Sequence, residues 1–463
     1  MTVTIDDLLS IGDVHARNIE ATRGMALTGV STDSRTIRQG ELFFALRGES
    51  FDGHRFVDAA MARGALGAVV DKNANLEAAT KHPLFIVNDT TKALGRVANV
   101  VRKKFKIPFI AVAGSNGKTT TKEMISSVLR TQYDVLNTEG NLNNHIGVPL
   151  TLLKLEQHHE KAVIEIGTNH FGELRYLCGI LEPTHGIITN IGHEHMEFFK
   201  NLDGVAQAEG ELFDALASGG TAYVNADDRH LEKQASKPRT KVTYGFSQKE
   251  ADVFGRIVNI DPEARTSISV SSKNVPEFTI ELTVPGKHMA LNALAAATVG
   301  LSQGVEVRNI QKGLKEFTAV GKRMQIVNAG GVTIINDTYN ANPDSVVSAL
   351  ESLAAMKTSG TKFVVLADML ELGDASAEEH RTVGSAVRAL GFDRLLTFGS
   401  MGEEIGKGAR VQHGMHFNDK QELSRYLASK LSPGDIVLVK GSRGMKMEEV
   451  VAYVQNTMSG VKK

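Results

Sequence analysis

Phe109-Ile110-Ala111-Val112-Ala113-Gly114-Ser115-Asn116-Gly117-Lys118-Thr119-Thr120 joins a β-type apolar run to a helix-like segment through a glycine turn. Backbone N–H groups freed by glycines, followed by a helix N-terminus, form a cradle for phosphate oxygens. Lys118 adds a point charge, and the Thr119 hydroxyl is placed to reach a magnesium ion beside the phosphates. The stretch predicts an ATP site in which Gly114, Ser115, Asn116, Gly117, Lys118, Thr119 and Thr120 hold the nucleotide. Val112 stands where the usual loop carries its first glycine, so the loop is a shortened variant.

Outward from this loop, apolar runs and helix-like segments alternate along the chain, the pattern of a parallel sheet covered by helices. In the first block, residues 1–107, strand-like runs fall at 42–46, 66–70 and 85–87, with helix-like segments at 56–63 and 92–105. The second block, 108–320, offers strands at 109–112, 162–166, 186–189 and 221–225. It then shifts to strict alternation between 251 and 284, as in Ser267-Ile268-Ser269-Val270, which predicts an antiparallel patch beside the main sheet. The third, 321–463, has runs at 332–335, 363–366, 395–398 and 436–439 and no phosphate loop of its own. The fold class expected is α/β in three domains: a small N-terminal α/β unit, a central parallel-sheet phosphate-loop ATPase domain, and a C-terminal Rossmann-like unit closing on the nucleotide.

The 463 residues carry 52 Lys and Arg against 53 Asp and Glu, so bulk charge gives no reason to expect a nucleic-acid or acidic-membrane partner. One cysteine, Cys178, excludes an intramolecular disulfide and a cysteine-rich metal site, and it is expected to be a small packed residue. The start MTVTIDDLLSIGD lacks a basic opening and an apolar core, and no run of about 18 apolar residues occurs, so a cytoplasmic protein without membrane insertion is expected.

Two further segments carry chemistry. Val163-Ile164-Glu165-Ile166 puts a carboxylate at the end of a strand beside the phosphate loop, where it could hold magnesium together with nucleotide phosphates. Gly192-His193-Glu194-His195 packs two histidines and a glutamate into one loop. A zinc site has to be weighed there, but the histidines are two residues apart and no third soft ligand is near. An oxygen-ligated magnesium assisted by one histidine is favoured.

The phosphate loop 114–120 resembles that of the Mur ligases, ATP-dependent amide-forming enzymes of bacterial cell-wall precursor synthesis. The segments Asp337-Thr338-Tyr339-Asn340-Ala341-Asn342-Pro343-Asp344-Ser345, Asp368-Met369-Leu370-Glu371-Leu372-Gly373 and Val439-Lys440-Gly441-Ser442-Arg443 are similar to the member that joins D-alanyl-D-alanine to UDP-N-acetylmuramoyl-tripeptide. Asp33-Ser34-Arg35, 42–48 and Asp52-Gly53-His54 resemble its UDP-sugar-binding domain, so the resemblance spans essentially the whole chain. No Asp-Asn-Pro-Arg segment is present, which a diaminopimelate-adding sibling would be expected to show.

The resemblance implies a monomer that uses ATP and Mg2+, phosphorylates the peptide carboxylate, and lets the dipeptide amine displace phosphate. Lys118, Glu165 and His195 would carry that chemistry. Asn292 would meet adenine, with Arg323 and Asp337 also on the nucleotide. Ser34, Arg35, Asn143, Asn144, Tyr339, Asn340 and Asn342 would contact substrates, and Thr119, Glu165, His195 and Glu209 would hold metal. Glu209 departs from the family pattern, which often has a lysine there; glutamate keeps negative charge with a shorter reach. Hinges are expected near 107 and 320. The rival readings are a sibling ligase adding a single amino acid and a phosphate-loop kinase or regulatory NTPase.

Overall fold

The computed structural model describes residues 3–20, 22–48, 51–74, 81–216, 219–273 and 275–460. Three sheets follow one another along the chain. The first unit runs α1 (Ile5–Ser10), β1 (His15–Arg17), β2 (Gly29–Ser31), β3 (Glu41–Phe44), α2 (Val57–Ala62), β4 (Gly67–Asp71), β5 (Leu84–Val87) and α3 (Thr90–Lys103). Its strand order is β1-β5-β4-β3-β2, parallel apart from β1. Strands β1 and β2 are three residues long and half exposed, too short and too polar to stand out as apolar runs.

The central unit is built on β6 (Phe109–Ala113), α4 (Lys118–Arg130), β7 (Val135–Asn137), α5 (Gly147–Leu152), β8 (Lys161–Glu165), α6 (Glu173–Leu181), β9 (His185–Ile188), α7 (Met196–Phe199), α8 (Leu202–Leu216), β10 (Thr221–Asn225), α9 (Arg229–Gln234) and β11 (Thr240–Gly245). These strands pair in parallel in the order β11-β10-β9-β6-β8-β7. All five residues of β6 are buried, as a strand covered by helices on both faces demands. The expected antiparallel patch is β12 (Val253–Ile260), β13 (Arg265–Ser272) and β14 (Val275–Pro285), with Ile268 opposite Ile280 and Ser269 opposite Thr279. Helices α10 (Lys287–Ser302) and α11 (Val307–Lys315) complete the unit. The alanine-rich α10 lies so close to α4 that a Cβ on Gly300 would stand 2.7 Å from Val128 Cγ1.

The last unit has β15 (Gln325–Ala329), β16 (Val332–Asp337), α12 (Pro343–Ala355), β17 (Lys362–Ala367), α13 (Ser376–Ala389), β18 (Arg394–Phe398), α14 (Gly402–Ala409), β19 (His413–Phe417), α15 (Lys420–Lys430), β20 (Ile436–Lys440) and α16 (Glu448–Met458). Its order is β15-β16-β20-β17-β18-β19, parallel except at β15.

A buried side chain bridges the two units at the junction near 107. Arg102 of α3 is buried, donates from Nε to Leu181 O and from Nη2 to Glu182 O (both 2.6 Å), and lies 4.1 Å from the centre of the Phe109 ring. It thereby caps the end of α6 with a side chain from the first unit. Cys178 is buried in that helix, as expected of a packed residue. Among the described residues no helix is long and apolar enough to cross a membrane.

Candidate active site

The phosphate loop sits at the carboxyl end of β6, where parallel sheets place ligands. Gly114 has φ +114°, and a Cβ there would fall 2.3 Å from Thr189 Oγ1, so only glycine fits between β6 and the end of β9. The loop is held from that side: Ser115 N donates to Asn190 O (2.9 Å), Asn116 N to Asn190 Oδ1 (3.0 Å), and Gly192 N to Ser115 Oγ (2.8 Å). Gly117, with φ +82°, is the N-cap of α4, which leaves the helix's first N–H groups facing the loop's hollow.

Lys118 Nζ donates to Gly114 O (2.5 Å) and pairs with Glu194 (3.2 Å). Burial works against its charge, but Glu194, Glu209 and Glu165 outweigh that and hold it above the ordinary lysine value. Glu209 lies behind the loop, where Oε2 accepts from Gly114 N at 2.8 Å; burial pushes its carboxyl well above the usual range despite the nearby lysine. Glu165 is also buried, with Oε1 accepting from Asn143 Nδ2 at 2.8 Å.

Three buried oxygens here have no hydrogen-bond partner: Thr119 Oγ1, Glu165 Oε2 and Glu209 Oε1. Orphaned hard donors of this kind suit a magnesium ion. Among the described residues, however, no three His, Cys, Asp or Glu side chains converge into a ready-made metal cluster. A cation would therefore need phosphate oxygens to complete its shell, which is how Mg2+ is commonly held. The two histidines of the 192–195 loop do not point to a zinc centre. Each faces a carboxylate of the last unit: His193 Nδ1 lies 3.1 Å from Asp344 and His195 Nδ1 lies 2.6 Å from Glu371.

The last unit meets the loop through the N-terminus of α12. Asn342 caps that helix and its Nδ2 donates to Asn116 Oδ1 at 2.9 Å. Arg323 stacks 3.7 Å over the Tyr339 ring, while Asp337 accepts from the buried Lys440 (2.6 Å) and from Met324 N (3.0 Å). Between these groups lies a cavity of about 570 Å3. Residues 115–120, Glu165, His195, Asn292, Arg323 and Asp337 line it, and so do Tyr339, Asn340 and Asn342, which the sequence reading had placed on substrate. Asn292 sits against the loop, its Oδ1 2.8 Å from where a Gly117 Cβ would be.

A second cavity of about 660 Å3 opens toward the first unit. Its walls come from the start of α3 (Asp89, Thr91, Lys92), from Asn143, Asn144 and His145, and from 167–177 with Phe171 and Tyr176. Lys118, Asn143 and His195 line both cavities. Ser34 and Arg35 line neither; Arg35 forms an exposed pair with Asp33 at 2.7 Å. Gly114 and Glu209 form the floor behind the loop. Glu194, Asp344 and Glu371 were not singled out as site residues. All three lie inside quoted motifs, but only the fold shows which histidine or lysine each one faces.

A central phosphate-loop domain flanked by two further α/β units, with a nucleotide-sized cavity meeting a second one at Lys118, defines an ATP-dependent ligase architecture. Known proteins agree: the Mur ligase family, catalytic domain matches residues 26–113, the Mur ligase middle domain 112–300, and the Mur ligase, glutamate ligase domain 322–443. The chain belongs to the Mur ligase family. It is 37% identical over 467 residues to the UDP-N-acetylmuramoyl-tripeptide--D-alanyl-D-alanine ligase of Escherichia coli (strain K12), covering 98% of this chain and 99% of the relative. The MurF crystal structure from Acinetobacter baumannii superposes with a TM-score of 0.90 at 30% identity, over 98% of this chain and 99% of that one. MurF from Thermotoga maritima in complex with ADP gives 0.83 at 26% identity, over 94% and 98%.

Proposed function

We propose that this protein joins D-alanyl-D-alanine to UDP-N-acetylmuramoyl-tripeptide at the expense of ATP, in peptidoglycan precursor synthesis. The observation that carries the reading is the junction of two cavities at Lys118, Asn143 and His195: one takes the nucleotide, the other the peptide end of the UDP-sugar substrate. A carboxylate is a poor acyl electrophile. Its oxygen attacks the γ-phosphorus of ATP and ADP leaves; the dipeptide amine then attacks the acyl carbon of the mixed anhydride, phosphate departs, and the amine proton passes to a base. Such a transfer between anions needs in-line geometry and positive charge more than covalent help from the protein.

Lys118 supplies the fixed cation at the junction, the N–H groups at the start of α4 grip phosphate oxygens, and Asn292 with Arg323 flanks the nucleotide. Thr119, Glu165 and Glu209 fit Mg2+, which when bound would offset phosphate charge. The domain roles follow: 1–107 holds the UDP-sugar, 108–320 holds ATP, and 321–463 closes the site and presents the dipeptide. Closing excludes water from the acyl phosphate.

The test is phosphate release from Mg-ATP with UDP-N-acetylmuramoyl-tripeptide, comparing D-alanyl-D-alanine, single amino acids and no amine. Release dependent on both tripeptide and dipeptide is expected. Release with a single amino acid would move the chain to a sibling activity, and release indifferent to both would leave a regulatory NTPase.

A further inference from the structure

Glu371 lines neither cavity, yet its Oε2 stands 2.6 Å from Nδ1 of His195, which lines both. The contact crosses the cleft between the central and last units, and it is doubled in the backbone, where Glu197 N donates to Glu371 O at 3.1 Å. His195 has φ +50° and Glu371 φ +63°, so two non-glycine residues in the left-handed region face each other at one point of the interface. Such conformations persist where the surroundings enforce them, and they cluster at functional sites. Gly373, at φ +57°, makes the approach possible: a Cβ there would come within 3.3 Å of Glu197 Cα.

Neither partner is free to drift. On the last unit, Met369 N donates to Nε2 of the buried His380 (2.9 Å), Leu370 N to Ser442 Oγ (2.9 Å), and Ser442 N to Asp368 O (3.1 Å). This clamps the loop that carries Glu371 to its own sheet. On the central unit, His195 is the N-cap of α7 and its carbonyl accepts from Phe198 N (2.9 Å) and Phe199 N (3.0 Å). The pair is close but not aligned: Nδ1 is buried and makes no hydrogen bond of good geometry, so the carboxylate 2.6 Å away is placed to take its proton once the ring turns, which would leave Nε2 as the free nitrogen.

We propose that Glu371 is a positioning residue for His195: docking of the last unit brings the carboxylate onto Nδ1 and turns Nε2 toward the junction of the two cavities, so that domain closure and assembly of the reacting site are one event. The inference rests on the ligase reading above. Glu371 is absent from the walls of both cavities, so on this proposal its removal acts through His195. A simple interdomain adhesive would instead change how tightly substrates are held.

The experiment uses the full-length enzyme with Mg-ATP, UDP-N-acetylmuramoyl-tripeptide and D-alanyl-D-alanine, and begins with the unaltered protein. If that protein shows no release dependent on tripeptide and dipeptide, the ligase reading itself fails, independently of Glu371. With activity established, E371A and the size-matched E371L are expected to lower kcat about 10- to 100-fold, with the KM values for ATP and tripeptide within about twofold. E371Q, whose amide oxygen can also accept from Nδ1, is expected to recover most of that loss. H195A and the double variant H195A/E371A are expected to be equally impaired, because once the histidine is gone there is nothing left to position. Losses that multiply in the double variant, a change confined to KM, or E371L as active as the unaltered enzyme would each overturn the proposal. Should E371A fail to fold, the contrast between E371L and E371Q decides the same question.

Discussion

Asn342 Nδ2 donates to Asn116 Oδ1 at 2.9 Å, so a helix cap of the last unit is hydrogen-bonded to the phosphate loop of the central one. The same side chain accepts from Ser345 N at 2.8 Å, in a capping box at the start of α12. One residue thus both begins a helix and tells it where the loop is. Asn342→Ala removes both bonds. The cap alone is worth about 1 kcal/mol, so the melting temperature should drop by a few degrees. The KM for ATP should rise several-fold, while Asn342→Asp, which keeps the cap acceptor, should restore the melting temperature but not the KM. Calorimetry and initial rates separate the two.

Glu194 occupies the place that nucleotide phosphates will compete for. It pairs with Lys118 at 3.2 Å, and only 11% of its side chain is exposed. An incoming anion must meet this carboxylate as well as the lysine it neutralises. Glu194→Gln removes a like charge worth about 1 kcal/mol at such a site, so the Kd for ATP should tighten about fivefold. Titration calorimetry on the protein without the other substrates reads this directly, and a weaker Kd would mean that Glu194 helps hold the cation instead.

Long apolar strands were legible in the sequence because burial on both faces writes itself as continuous Val, Ile and Ala, as in 109–113, 162–166 and 436–439. Strands β7, β15 and β19 were not. Val135-Leu136-Asn137 is too short, while Gln325 to Ala329 and His413 to Phe417 are polar edge strands whose partners supply the order their own composition lacks. The same division holds at the site. The phosphate loop declares itself because its contacts are local in sequence. Glu371 and Asp344 lie about 150 residues or more beyond the histidines they face, a pairing that no local pattern encodes.

Arg102 ties the first unit to the central one. Its two 2.6 Å bonds satisfy the last carbonyls of α6, and Asn99 Nδ2 adds a bond to Ile180 O at 2.8 Å. Arg102→Met keeps the apolar stem but leaves buried carbonyls without donors, at a cost of about 3 kcal/mol. A lower urea midpoint is expected. In the unaltered enzyme, small-angle scattering should show compaction on adding nucleotide and UDP-sugar peptide, through movement of the unit beyond residue 320. A crosslink between α3 and α6 should leave that compaction intact; its loss would return the hinge to 107.

Acid sensitivity should be traceable to His185. The ring stacks against Tyr223 with centroids 6.0 Å apart, and Nδ1 is 2.9 Å from Thr184 Oγ1. Burial, aided by Lys161, lowers its pKa to about 4 from 6.5. Because the folded state holds this proton less tightly than the unfolded chain does, the unfolded chain gains protons first as pH falls below about 6.5. The stabilisation from keeping His185 neutral is therefore complete above that pH and is lost progressively toward pH 4, by on the order of 2 kcal/mol once partial solvent access is allowed for. Urea unfolding at pH 7.5, 6 and 5 should show that decline in the unaltered protein. His185→Gln, which cannot titrate, should be less stable at pH 7.5 yet show a flatter loss below pH 6.5. An unchanged slope would mean that the acid limb belongs to other groups.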